Sequence, residues 1–121
     1  RGELYVSDYE LHRIQVYDRQ GAYVAVFATK GSGEGQLDFP QGLSFTAGGD
    51  LVVADTFNHR VQVFPEDGTY VRSFGSERIG AGEFHRPCDV CAGADSSIVV
   101  LDDKNKRVQR FDVAGAFVRS F

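Results

Sequence analysis

The sequence predicts an all-β chain made of repeated four-stranded antiparallel units, and three observations carry that expectation. The first is a motif in strict register. Residues 6–17 read V-S-D-x4-R-I-Q-V-Y, residues 53–64 read V-A-D-x4-R-V-Q-V-F, and residues 100–111 read V-L-D-x4-R-V-Q-R-F. Asp8, Asp55 and Asp102 stand 47 residues apart, as do Arg13, Arg60 and Arg107. A fixed period in the 20–50 range marks a repeat architecture. The second is the short, Val- and Phe-rich character of the segments inside each unit, which is the pattern of strands. The third is Gly21, Gly68 and Gly115 at one phase of the repeat. A glycine fixed at one phase of a tight hairpin fits a positive φ.

Taken in order, the central unit divides into strands at residues 41–47, 50–56, 60–66 and 70–75. Gly48-Gly49 separates the first pair and Glu66-Asp67-Gly68 the last. Leu51-Val52-Val53-Ala54 and Ile98-Val99-Val100-Leu101 are apolar at every position, so these strands are expected to be covered on both faces. An antiparallel sheet covered on both faces by its neighbours is a propeller blade. Residues 1–27 supply the last three strands of one blade, and residues 28–74 and 75–121 supply one complete blade each, making eleven strands. Four blades, about the smallest ring, need about 188 residues at this period against the 121 present. The ring is therefore incomplete. Its remaining blades are expected from a longer parent chain, on the absence of Met and the ragged start, or from self-association of two copies.

Composition bounds the function. A net charge of −4 provides no general pull toward nucleic acid or anionic membrane, and no apolar run has the length of a membrane helix. Two Cys are too few for a disulfide framework and favour a reducing compartment, hence a cytoplasmic location.

The residues Gly33 to Pro40 (G-x-G-x-L-x-x-P), Val53 to Phe64 (V-A-D-T-F-N-H-R-V-Q-V-F) and Gly68-Thr69-Tyr70-Val71 resemble the NHL repeat, and the resemblance runs through the whole chain. It implies a β-propeller, usually six-bladed, that most often serves as a binding platform. Three positions depart from the pattern. Leu11 replaces Asn in the first copy, Lys106 replaces His in the third, and Asp89 stands where the central copy has Gly42.

The pairs Asp8/Arg13, Asp55/Arg60 and Asp102/Arg107 flank four-residue loops and are expected to face each other across hairpins as register-setting ion pairs. Their recurrence in every copy favours that structural role over ligand binding. His12, His59 and His85 raise a zinc reading, since a few NHL relatives are metal-dependent amidating lyases. His12 and His59 lie a blade apart, and the expectation is no metal, no cofactor and no catalytic residue. Cys88 and Cys91 are three apart on a strand and point to opposite faces, so buried reduced thiols are expected. The Gly31–Gly35 run lacks a P-loop's Lys and following helix.

The face carrying the second and fourth turns of each blade holds the variable residues, and variable loops on a rigid scaffold carry specificity. Its candidate partner contacts are Tyr9, Glu10, His12, Phe57, Asn58, His59, Arg78, His85, Arg86, Lys104 and Lys106, with Tyr9 and Phe57 as exposed aromatic tips. The expected function is a noncatalytic protein-interaction platform, of the kind found in ubiquitin-ligase-type NHL proteins. The alternatives are single-stranded RNA binding, with those two aromatics stacking bases, and, more weakly, a metal-dependent lyase.

Overall fold

A computed structural model describes residues 2–65 and 72–121. It contains eleven strands among those residues: β1 (Leu4–Asp8), β2 (Arg13–Tyr17), β3 (Tyr23–Phe27), β4 (Pro40–Phe45), β5 (Leu51–Asp55), β6 (Arg60–Phe64), β7 (Arg72–Phe74), β8 (Pro87–Ala92), β9 (Ile98–Asp102), β10 (Arg107–Phe111) and β11 (Phe117–Ser120). They form three antiparallel sheets, β1-β2-β3, β4-β5-β6-β7 and β8-β9-β10-β11, the arrangement that the period predicts. The three sheets do not close into a ring. The turn at Glu66-Asp67-Gly68 and the start of the strand placed at residues 70–75 lie outside the described residues. Gly21 and Gly115 do take positive φ, 85° and 90°.

Register follows the Asp–Arg pairs. Asp8, Asp55 and Asp102 lie directly opposite Arg13, Arg60 and Arg107. The strands are shorter than the sequence suggests at one recurring place. Thr56, read as the end of a strand, instead opens a 3-10 turn, Thr56–Asn58, which ends on His59 in the left-handed conformation (φ 54°). His12 (57°) and Lys106 (53°) hold the same conformation at the same phase.

The core lies between the sheets. Tyr5, Ile14 and Phe27 of the first blade pack on Leu51, Val53 and Phe64 of the second, with Leu37 from the connection between them. Val52, Ala54, Val61 and Val63 then pack on Ile98, Val100 and Phe111 of the third, with Phe84 from the next connection. Alternate residues of one strand therefore serve two neighbours, which is why Leu51–Ala54 are all buried and why no alternation shows in their sequence.

The outer sheets correct one expectation. Ile98 and Val100 are buried, but Leu101 is 41% exposed, and Leu4 at the other end is 60% exposed. Each lies on a sheet face that no described blade covers. Cys91 is exposed and Cys88 half-buried, so the two thiols are not both core residues. They sit on the innermost strand β8, whose one side lacks a neighbour.

The inner strands of blades two and three run close together. A Cβ at Gly42 would lie 2.6 Å from Asp89 Cα and 2.9 Å from Val90 N. Only glycine permits this approach. No helix is long and apolar enough to cross a membrane among the described residues.

Candidate functional site

The loop face is built from two connections, which the repeat motif locks together. Asp55 is fully buried. One carboxylate oxygen accepts from Asp38 N (2.8 Å), and the other accepts from Arg60 Nε (2.7 Å), Asn58 Nδ2 (3.0 Å) and Gln62 Nε2 (3.0 Å). Arg60 goes on to donate to the carbonyls of Ser32, Gly33 and Gln36. Gln62 donates to Gln36 O and accepts from Gly35 N, while Asn58 donates to Gly31 O. The incoming glycine-rich segment is thus tied carbonyl by carbonyl to the β5–β6 hairpin. Its resemblance to a phosphate loop ends there.

The third blade repeats the arrangement through Asp102, Asn105, Arg107 and Gln109. The first blade has a looser version. Arg13 Nε lies 3.5 Å from Asp8, and Leu11 cannot donate as Asn58 does. The expected cross-strand pairs are therefore structural. Gln62 and Gln109 are as important as the arginines. The 47-residue recurrence of this glutamine was the signal that marked them, although no role could be read from it.

The histidines are structural as well. His12 Nδ1 accepts from Phe39 N (2.8 Å), and His59 Nδ1 accepts from Arg86 N (3.0 Å). Each left-handed histidine therefore latches its blade to the start of the next blade's first strand. His12 is buried at 8% exposure, which removes it from the candidate partner contacts. Asn58 and His59 are half-buried, and their polar atoms hold the fold.

His59, Glu77 and His85 bring ligand-type atoms within 4.8 Å of one another, with His59 Nε2 3.7 Å and His85 Nε2 3.9 Å from Glu77. A metal does not fit this set. Burial, reinforced by His85 and Arg86 against the opposing pull of Glu77, holds His59 below the ordinary histidine pKa, so the ring is neutral. A neutral ring that accepts at Nδ1 carries its proton on Nε2. The nitrogen facing Glu77 is a donor, with no lone pair for a cation.

What the structure does bring together is a groove of about 290 Å3 to which all three blades contribute, containing Tyr9, Phe57, Arg86 and Lys104 along with Gln41, Thr56, Cys88 and Asp103. Four of the sequence-derived contacts share it. Phe57 is not a free tip. It is half-buried, its ring 4.6 Å from Phe39, which in turn packs at a tilt on Tyr9 at 4.7 Å. The Arg86 guanidinium lies 4.6 Å above the Phe57 ring, a cation–π distance. Burial, with Asp103 and Asp89 adding to it, pushes the Cys88 thiol up, so it is held protonated and unreactive. Arg78 and His85 line a separate hollow with Glu77 and Ile79. Glu10 and Lys106 stand exposed on the same face, outside both.

Repeated antiparallel sheets, one of three strands and two of four, fastened by inter-blade loops, define a β-propeller segment. Residues 37–64 match the NHL repeat, a match to the central blade that agrees with the propeller architecture of the three sheets. Solved structures agree on the fold. A streptogramin B lyase superposes with a TM-score of 0.76 at 13% identity, over 98% of this chain and 36% of its own. Virginiamycin B lyase from Staphylococcus aureus gives 0.75 at 18%, over 99% and 37%. A gluconolactonase from Xanthomonas campestris gives 0.62 at 20%, over 92% and 34%. The chain spans about a third of the length of these proteins, and at such identities the likeness concerns the fold alone. No curated protein matches the chain by sequence.

Proposed function

We propose that these blades act as a noncatalytic platform that binds a protein partner through the loop face. The observation that carries this reading is the groove at Tyr9, Phe57, Arg86 and Lys104. It gathers aromatic and cationic side chains, the types that anchor interfaces, on a scaffold whose remaining polar groups hold it rigid. The acids and histidines that chemistry would draw on are engaged structurally. Asp55 and Asp102 are buried under arginine and glutamine, and His12 and His59 accept backbone N–H groups. Single-stranded RNA is the less favoured partner, because one face of Phe57 carries Arg86 and the chain's net charge is negative.

The test compares two surfaces. Partners captured by the wild-type chain are quantified by mass spectrometry against a loop-face variant, Tyr9→Ala/Lys104→Glu, and a variant on the opposite face, Arg19→Glu. Selective loss with the loop-face variant supports the reading. Equal retention by both variants overturns it.

A further inference from the structure

Arg86 occupies the repeat position of Phe39, 47 residues earlier. The two share one backbone role. Both are left-handed (φ 52° for Phe39, 56° for Arg86), and both donate their N–H to the latching histidine of the preceding blade. The latch uses only the main-chain N–H of Phe39 and Arg86, so it leaves their side chains unspecified. In the first interface that side chain is a phenylalanine, which completes a stack between Tyr9 and Phe57. In the second it is an arginine whose guanidinium carbon lies 4.6 Å over the Phe57 ring.

The donors of that arginine are uncommitted. Arg60 and Arg107 direct theirs to a buried carboxylate and three carbonyls each. The Arg86 guanidinium has the Phe57 ring and no acceptor among the described residues. Lys104, which also lines the groove, has no carboxylate paired with its ammonium among the described residues. Its main-chain N–H donates to His85 O (3.1 Å) and fixes its loop. Two cationic side chains thus line one groove in a chain of net charge −4. A planar guanidinium is a two-pronged donor suited to a carboxylate. Asp103 also lines the groove and sets the stoichiometry. With two cations and one resident anion, the groove accommodates one further negative charge and disfavours a polyanion.

We propose that Arg86 and Lys104 bind the carboxylate of a single acidic residue on an extended segment of a protein partner, with Tyr9 offering an aromatic surface to the neighbouring apolar side chain. This inference rests on the platform reading above and specifies its chemistry. A matched pair of probes tests it: the acetylated, amidated peptides Ala-Asp-Phe-Ala and Ala-Asn-Phe-Ala, titrated into the 15N-labelled chain. The Asp peptide is expected to shift the Arg86 Nε–H resonance and to bind at least about tenfold more tightly than the Asn peptide. Arg86→Gln should abolish that difference while the remaining amide spectrum stays in place, since the latch is a main-chain bond. Equal binding of the two peptides, or an unchanged preference in Arg86→Gln, overturns the inference. So does a uridine oligonucleotide that outcompetes the Asp peptide in an Arg86-dependent way, and that result would move the groove to nucleic acid. If loop-face variants lose a captured partner while Arg86→Gln retains it, the platform reading stands and only the carboxylate assignment fails.

Discussion

Gly75 and Phe84 form a pair whose coupling can be measured. Gly75 takes φ +100°, and a Cβ added there would lie 2.3–2.4 Å from the Phe84 ring. One repeat earlier the counterparts are Ala28 and Leu37. Ala28 has φ 75°, so the backbone tolerates a side chain at this phase when the residue packed in the connection is the smaller leucine. The two interfaces thus solve one packing problem in opposite ways, Ala with Leu and Gly with Phe. Gly75→Ala alone should cost about 2–5 kcal/mol, combining left-handed strain of about 1–2 with overpacking of about 1–3. Phe84→Leu alone should cost about 1–2 kcal/mol for the lost volume, since Phe84 is fully buried. The double variant transplants the earlier solution. It should lose less than the sum of the two, by a coupling of about 1–2 kcal/mol, or about 4 °C in Tm per kcal/mol recovered. Urea unfolding followed by circular dichroism, run as a double-mutant cycle, provides the measurement. Additivity within about 0.5 kcal/mol would refute the argument that the ring dictates the glycine.

Three further outcomes follow from geometry. Asp55→Ala should destabilise by about 3 kcal/mol or more, because it removes a fully buried carboxylate and leaves the largely buried, multiply bonded Arg60 without its counter-charge. Asp8→Ala, at a looser and partly exposed pair, should cost under about 1 kcal/mol; equal losses in chemical denaturation would contradict the assigned roles. Gly42→Ala forces a Cβ against the backbone of Asp89 and Val90 and should cost about 3 kcal/mol; a Tm within a degree of wild type would show that the inner strands are not in close contact. His59 has a folded pKa below its ordinary 6.5, so between those two values the unfolded chain binds the extra proton. Stability should therefore fall as pH drops from 6.5 toward the lower folded value. The groups setting that value are Glu77, His85, Arg86 and Asp102. His59→Gln, whose amide oxygen accepts from Arg86 N at any pH, should flatten that limb; an unchanged pH profile in unfolding experiments would remove His59 as its source.

The parts of this architecture that repeat were legible in the sequence. Strand order, the phase of each hairpin and the Asp55–Arg60 pairing all follow from one period. What escaped depends on two positions at once. The latch from His59 to Arg86 joins residues 27 apart in different blades, and no single-copy comparison displays it. The register did place Arg86 opposite Phe39, but nothing in the letters says that a backbone N–H, rather than a side chain, does the fastening. His12 looked like a loop residue and is buried because the Phe39 segment folds over it. Cys91 looked like a core thiol on an apolar strand. Its exposure depends on which sheet lies alongside, a property of assembly that local sequence does not encode. The groove itself was legible only as a list of residues on one face; Tyr9 and Phe57 reach it because Phe39 stacks between them.

The fastenings have direction. Arg60 and Gln62 reach back to the segment that enters their blade, whereas Thr56 and His59 reach forward to Pro87 O and Arg86 N of the following one. The middle blade is therefore stitched both ways by its own side chains, upstream to main-chain carbonyls and downstream to the Pro87 carbonyl and the Arg86 N–H. It cannot fray without loosening both neighbours. Amide protons of β5 and β6 should consequently be the slowest to exchange, and tension applied to either end of the chain should reach this sheet last.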